Sequence, residues 1–69
     1  MVSDFGKAIK KRLIDIDQTQ EWLMEMVREK TGGMFIDSSY LQKILKGERN
    51  PQKIVDAICA ILEIEHPEQ

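Results

Sequence analysis

The sequence predicts an all-α fold of four short helices in a single domain that covers residues 1–69. Apolar residues recur at helical spacing in four stretches, at about residues 4–14, 19–30, 38–46 and 51–64. Signals that start and stop helices stand between these stretches. A chain of 69 residues has room for one modest core and a binding face, because so small a domain buries only about 60% of its unfolded surface.

Apolar stripes define the first two predicted helices. The stripe of the first helix consists of Phe5, Ala8, Ile9, Leu13 and Ile16. Lys7, Lys10 and Lys11 lie outside it and form either a solvated face or a patch that faces phosphates. Thr19 or Asp17 caps the second helix, and both remain open. Gly32-Gly33 ends that helix.

The third predicted helix has the clearest boundaries. Asp37 can act as its N-cap, because an aspartate oxygen accepts from free backbone N–H groups. Ile36 and Leu41 stand where a hydrophobic staple would pair them across the start of the helix. Gly47 supplies the C-terminal stop.

Asn50-Pro51 predicts the start of the fourth helix, with Asn50 as N-cap and Pro51 in the first turn. The apolar stripe of this helix closes the core, and it consists of Ile54, Val55, Ile58, Ile61 and Leu62. Cys59 is expected to be a buried small hydrophobic residue. His66 is expected to be a surface residue near the end of the helix.

Polar side chains of the third helix share one side. At about 100° per residue, the apolar residues Leu41, Ile44 and Leu45 fall together. The opposite side forms an arc of roughly 140° that has no carboxylate after the cap; this polar arc consists of Ser38, Ser39, Gln42, Lys43 and Lys46. A short helix with such an arc is suited to contact base edges in a major groove.

Residues 38–51, which run Ser-Ser-Tyr-Leu-Gln-Lys-Ile-Leu-Lys-Gly-Glu-Arg-Asn-Pro, resemble the recognition helix and following turn of the Cro/repressor-type (XRE-like) helix-turn-helix family. The earlier signature of that family, Thr-Gln-x-x-Leu-Ala, is similar to residues 19–24, Thr-Gln-Glu-Trp-Leu-Met. The resemblance covers about residues 5–64. It implies a small four-helix, repressor-like helix-turn-helix domain whose partner is double-stranded DNA.

The resemblance and the polar arc together suggest roles for individual residues. We expect base contacts from Ser38, Ser39, Gln42 and Lys43. We expect phosphate contacts from Gln20, Lys46, Arg49, Asn50 and Lys53. The phosphate role of Gln20 comes from the resemblance alone, and a solvent-exposed glutamine is the open alternative. The expected function is sequence-specific transcriptional regulation by a homodimer, with repression as the expected mode.

The second helix and the turn after it depart from the family pattern. Met24 stands where the family has a small residue, which predicts a looser or re-angled pair of helices. The connection to the third helix is about seven residues longer than the family norm, in which the turn takes only about 3–4 residues. Apolar residues also widen the second helix at Trp22 and Met26. Either Met34 and Phe35 fold back over them, or the four form a surface for a protein partner.

The distribution of charge bears on the DNA hypothesis more than the total does. The formal net charge is −2, whereas nucleic-acid-binding modules are usually basic. Residues 1–14 carry +3 and residues 37–53 carry +2, while residues 15–36 carry −3 and residues 54–69 carry −4. The predicted recognition helix is therefore locally basic. The acidic total favours the alternative function, a protein-interaction module such as an antirepressor or adaptor.

Other classes of function have little support in the sequence. One cysteine excludes an internal disulfide. No metal-ligand spacing, phosphate-binding glycine loop or base for a nucleophile is present, so we expect no enzymatic activity, cofactor, metal or small-molecule ligand. No apolar run approaches the ~18 residues of a membrane span and no secretory signal is evident, so we expect a cytoplasmic protein.

Overall fold

Four α-helices follow one another in residues 3–66, the part of the chain that the computed structural model describes. They are α1 (Asp4–Asp15), α2 (Gln20–Lys30), α3 (Ser38–Leu45) and α4 (Gln52–Leu62). No strand occurs among the described residues. The all-α prediction with four helices is therefore confirmed, and each predicted boundary lies within two residues of the observed one.

The predicted apolar stripes meet in one core. α4 packs mainly against α2, and α1 packs mainly against α3. No polar or charged side chain is buried among the described residues, so burial of apolar surface dominates the stability of the fold. The largest side chains that are almost fully buried are Ile9, Leu23, Val27, Ile36, Leu41, Ile44, Leu45, Ile54, Ile58 and Leu62.

Three helices begin at a side-chain cap. Ser3 Oγ accepts from the backbone N–H of Gly6, Thr19 Oγ1 accepts from that of Trp22, and Asp37 Oδ1 accepts from that of Tyr40. Each bond satisfies one of the N–H groups that a helix start leaves without a partner. Thr19 is thus the cap of α2 rather than Asp17, and the prediction for Asp37 is confirmed.

The predicted start of α4 is wrong by one residue. Pro51 rather than Asn50 is the N-cap, and no side chain bonds to this helix end. The first helical hydrogen bond runs from the N–H of Val55 to the carbonyl of Pro51 at 2.9 Å, which places Pro51 just outside the helix. Pro51 has ψ 117°, a value close to the extended backbone and far from a helical turn.

Glycines end α2 and α3 with the same hydrogen-bonding motif. Gly32 and Gly47 have φ +74° and +82°, and each stands one residue beyond its helix cap. The next N–H reaches back to a helical carbonyl, from Gly33 to Arg28 at 2.7 Å and from Glu48 to Lys43 at 2.9 Å. These are Schellman motifs, which satisfy the last carbonyls of a helix. Both predicted stops are confirmed.

The long connection between α2 and α3 is attached to the core at its far end. Ile36 is fully buried, and its carbonyl accepts from Arg28 Nη2 at 2.9 Å. Met34 packs against the core, whereas Phe35 is 76% exposed. Of the two residues that were expected to fold back over Trp22 and Met26, Met34 is thus partly buried and Phe35 is not. Both chain neighbours of Phe35 turn inward, so its own side chain is left pointing toward solvent.

Ser3 joins the start of α1 to the end of α3. Its N–H and its hydroxyl both donate to the carbonyl of Leu45, at 3.0 and 2.9 Å. Arg12 makes a comparable link, since its Nε donates to the carbonyl of Leu62 at the end of α4 at 2.8 Å. Two carbonyls that helix geometry leaves without a partner are thus satisfied by α1 and its cap.

Among residues 3–66, each helix is too short, or too polar, to cross a lipid bilayer.

Candidate nucleic-acid interface

One face of α3 is built from polar side chains that are free of the core. Leu41, Ile44 and Leu45 anchor the opposite face and are at most 1% exposed. With those three buried, the helix cannot rotate without exposing apolar surface. All five members of the predicted polar arc are exposed, as the spacing required; they are Ser38, Ser39, Gln42, Lys43 and Lys46.

The predicted DNA-contacting cations form no ion pair within the part of the chain that the structure describes. Among residues 3–66, Arg12 pairs with Glu63 at 3.8 Å, and His66 Nε2 lies 2.8 Å from Asp56 Oδ1, a contact that is ionic only when the imidazole is protonated. None of the predicted DNA-contacting cations takes part in either pair; they are Lys43, Lys46, Arg49 and Lys53. Exposed cations without an internal partner can neutralise phosphates without first breaking a bond within the protein.

A hydrogen bond joins the polar arc to the start of α2. Gln42 Nε2 donates to Gln20 Oε1 at 3.0 Å. This bond uses the oxygen of one amide and the nitrogen of the other. It leaves the Nε2 donors of Gln20 for an anion such as a phosphate, and the Oε1 acceptor of Gln42 for a donor such as a base amino group. The pair therefore lies at a point where backbone and base contacts could both be made.

Arg49 and Asn50 lie beside the start of α1. They line one depression together with Ser3, Asp4, Phe5, Ile44 and Gly47. The N–H of Arg49 also approaches the carbonyl of Lys43 at 3.4 Å, which holds the turn against the end of α3. Their side chains thus follow directly on the basic end of the polar arc. Asp4 shares the depression and lowers its positive potential.

Lys53 stands in the first turn of α4. It lines a second depression with Lys30 and Thr31 at the end of α2 and with residues of α4. Gln20 stands at the other end of α2, about 15 Å away along an axis that rises 1.5 Å per residue. Lys53 therefore does not lie beside Gln20.

The three lysines that lie outside the apolar stripe of α1 face solvent. Lys7, Lys10 and Lys11 are all exposed, as both roles suggested by the sequence require. None of them takes part in an ion pair among the described residues. Their geometry is compatible with a solvated face and with a phosphate-facing patch.

Cys59 is buried, whereas His66 is exposed. Cys59 is 3% exposed, as expected of a small hydrophobic residue, and its Sγ is 3.7 Å from the carbonyl oxygen of Glu65. Burial, with a smaller effect of the Asp56 carboxylate, raises the pKa of the Cys59 thiol, so little thiolate is present at neutral pH. His66 is exposed and its Nε2 lies 2.8 Å from Asp56 Oδ1.

Three contacts that position α3 were not predicted from the sequence. The first is the pair of bonds from Ser3 to Leu45; the role of Ser3 as the cap of α1 could have been found, because a serine stands just before an acidic residue and the first apolar residue of a helical pattern. The bond from Arg28 to Ile36 and the bond between Gln20 and Gln42 have no local signal, since each depends on how α2 and α3 cross.

Searches against models of protein families, curated proteins and solved structures found no match to this chain.

Proposed function

We propose that the protein is a sequence-specific, double-stranded-DNA-binding transcriptional regulator of the XRE-like helix-turn-helix type. The observation that carries this proposal is the exposed polar arc of α3, in which hydroxyl, amide and ammonium groups face solvent and no carboxylate follows the Asp37 cap. A helix that presents such groups on one face, with its other face buried, matches the chemistry of major-groove base edges.

In this proposal, α3 lies in the major groove. Ser38 and Ser39 in its first turn, with Gln42 and Lys43 in the second, contact base edges. Lysine suits the O6 and N7 acceptors of guanine, the amide of glutamine suits the N6 and N7 of adenine, and serine accepts several partners. The bond from Gln42 to Gln20 limits the rotamers of both amides and so favours a defined base contact.

Phosphate contacts flank the groove on the proposed complex. Gln20 offers its amide N–H groups on one side of α3, while Lys46, Arg49 and Asn50 follow the end of that helix. Such contacts set the register of the protein on the duplex without selecting a sequence. Lys53 lies by the end of α2. In the proposed complex it contacts either a phosphate farther along the duplex or no phosphate.

Repression by a homodimer follows as part of the proposal. An eight-residue helix contacts only a few base pairs, so a second copy related by a two-fold axis would be needed to specify a full site. Bound to a promoter, such a dimer would block access of the transcription machinery.

The direct test is selection of bound sequences from a random duplex pool at two salt concentrations. We expect an enriched half-site, and affinity that falls as salt rises. Lys43→Met should relax preference at one base pair by about 1–3 kcal/mol, whereas Arg49→Met should weaken all sites alike and lower the salt slope by about one.

Lys7→Met on α1 is the matched control, because it removes the same charge from an exposed position outside α3. Its effect should not depend on sequence. Base recognition by α3 is refuted if Lys43→Met and Lys7→Met change all sites equally, or if the pool shows no enrichment.

A protein-interaction module is the second candidate, and the exposed Phe35 favours it. The surface expected for this function is smaller than the sequence suggested. Trp22 and Met34 pack against the core and Met26 is half-buried, which leaves Phe35 as the strongly exposed member. Absence of salt-dependent duplex binding, together with a complex that is lost in Phe35→Ala, would favour this candidate.

A further inference from the structure

Phe35 has an exposed aromatic side chain. Contacts with the rest of the domain hold the backbone before and after this residue. Its phenyl group is 76% exposed, which is unfavourable in water for so large an apolar group. The residue after it, Ile36, is fully buried and its carbonyl accepts from Arg28. Two residues before it, the N–H of Gly33 bonds to the carbonyl of Arg28. The position of Phe35 is thus set by the fold rather than by a free loop.

Phe35 also stands at the leading end of α3. It precedes the Asp37 cap by two residues and the first residues of the polar arc, Ser38 and Ser39, by three and four. Three residues of chain span at most about 11 Å, so a surface that covers the first turn of α3 and extends along the preceding segment would meet the phenyl group. In a major groove, the apolar group available to such a side chain is the 5-methyl of thymine.

We propose that Phe35 is a specificity-determining residue that contacts the 5-methyl group of a thymine next to the bases met by Ser38 and Ser39. This inference rests on the proposed DNA-binding function, and it adds a residue from the long α2–α3 connection to that site. The exposed phenyl group would then be covered in the complex. The connection would serve recognition as well as joining two helices.

The test compares wild-type protein and Phe35→Ala on the duplex recovered from the pool, with each thymine replaced in turn by deoxyuridine. This replacement removes the methyl group and leaves the base pair unchanged. In wild type, one position in each half-site should lose affinity by about fourfold, as expected for one methyl-sized group returned to water. Phe35→Ala should bind the parent duplex correspondingly more weakly and should be insensitive to that same replacement.

Two further variants serve as controls. Phe35→Leu keeps an apolar side chain and should retain sensitivity to the methyl group. Ile14→Ala removes a side chain that is equally exposed, at 78%, but lies on α1, and it should bind every duplex as wild type does. Thermal unfolding of each variant checks that the fold is kept, which is expected because both positions are exposed.

Each remaining result has a distinct meaning. Identical uracil profiles for wild type and Phe35→Ala, or a half-site without thymine, would overturn the inference while leaving the proposed function intact. Equal weakening at all sites, with dimerisation lost in sedimentation, would assign Phe35 to a protein contact and would also overturn it. If no sequence is enriched, the proposed function fails, and the inference fails with it.

Discussion

Replacement of Gly47 by alanine should destabilise the fold more than replacement of Gly32. Both glycines stand one residue beyond a helix cap in a Schellman motif, with φ +82° and +74°. An alanine in this left-handed region costs about 1–2 kcal/mol at either place. The two positions differ in their surroundings, which makes one a control for the other.

The difference comes from Ser3. A Cβ at Gly47 would lie 3.3 Å from the Cβ of Ser3, whereas a Cβ at Gly32 would have no heavy atom within 4 Å. Ser3 is held by two bonds to Leu45 and one from Gly6. To yield, it must weaken hydrogen bonds that contribute about 0.5–1.5 kcal/mol each. We therefore expect Gly47→Ala to cost roughly 0.5–1 kcal/mol more than Gly32→Ala.

Urea unfolding followed by circular dichroism measures both variants. A domain of this size is expected to have a total stability of about 3–10 kcal/mol, so both losses are measurable. Each kcal/mol should lower Tm by about 4–8 °C. If Gly47→Ala proves as stable as Gly32→Ala, the link between the start of α1 and the end of α3 contributes less than we infer.

Two further predictions concern contacts away from the polar arc. Arg28→Met should lower stability by about 0.5–1.5 kcal/mol, because it removes the donor to the Ile36 carbonyl, and hydrogen exchange should speed up in residues 34–38; unchanged exchange there would contradict it. Burial raises the pKa of the Cys59 thiol in the folded state. The stability that the protonated thiol contributes is therefore complete below the unfolded pKa of about 8.5. It is lost as the pH rises through the folded pKa. Cys59→Ala should therefore show a shallower fall in urea midpoint between pH 7 and 10, and parallel curves for the two proteins would refute this.

The features of α3 that the sequence predicted are those governed by local chemistry. Asp37 caps the helix and Gly47 ends it, because each acts on backbone groups within a few residues. The buried and exposed faces followed from spacing alone. The predicted cap at Asn50 failed because Pro51 is itself extended, with ψ 117°, so the helix begins one residue later than expected, at Gln52.

Features that depend on tertiary packing were not predictable. The direction of Phe35 is set by Ile36 entering the core, and an apolar run gives no indication of which member stays outside. The bond between Gln20 and Gln42 depends on the crossing of two helices that are separated by a long connection. The base and phosphate roles assigned to individual side chains remain predictions, since they depend on a docked duplex.

Because α3 is short, its exposed surface depends on the rest of the folded domain. A helix of eight residues is well below the ~12–15 residues that an isolated helix needs to persist in water. A peptide copied from this segment would be a disordered chain, and grafting its side chains onto another helix would not reproduce the entry segment that holds it. Whatever surface α3 offers exists only while the whole domain is folded. A core substitution that destabilises the domain therefore also lowers the fraction of molecules that are able to bind.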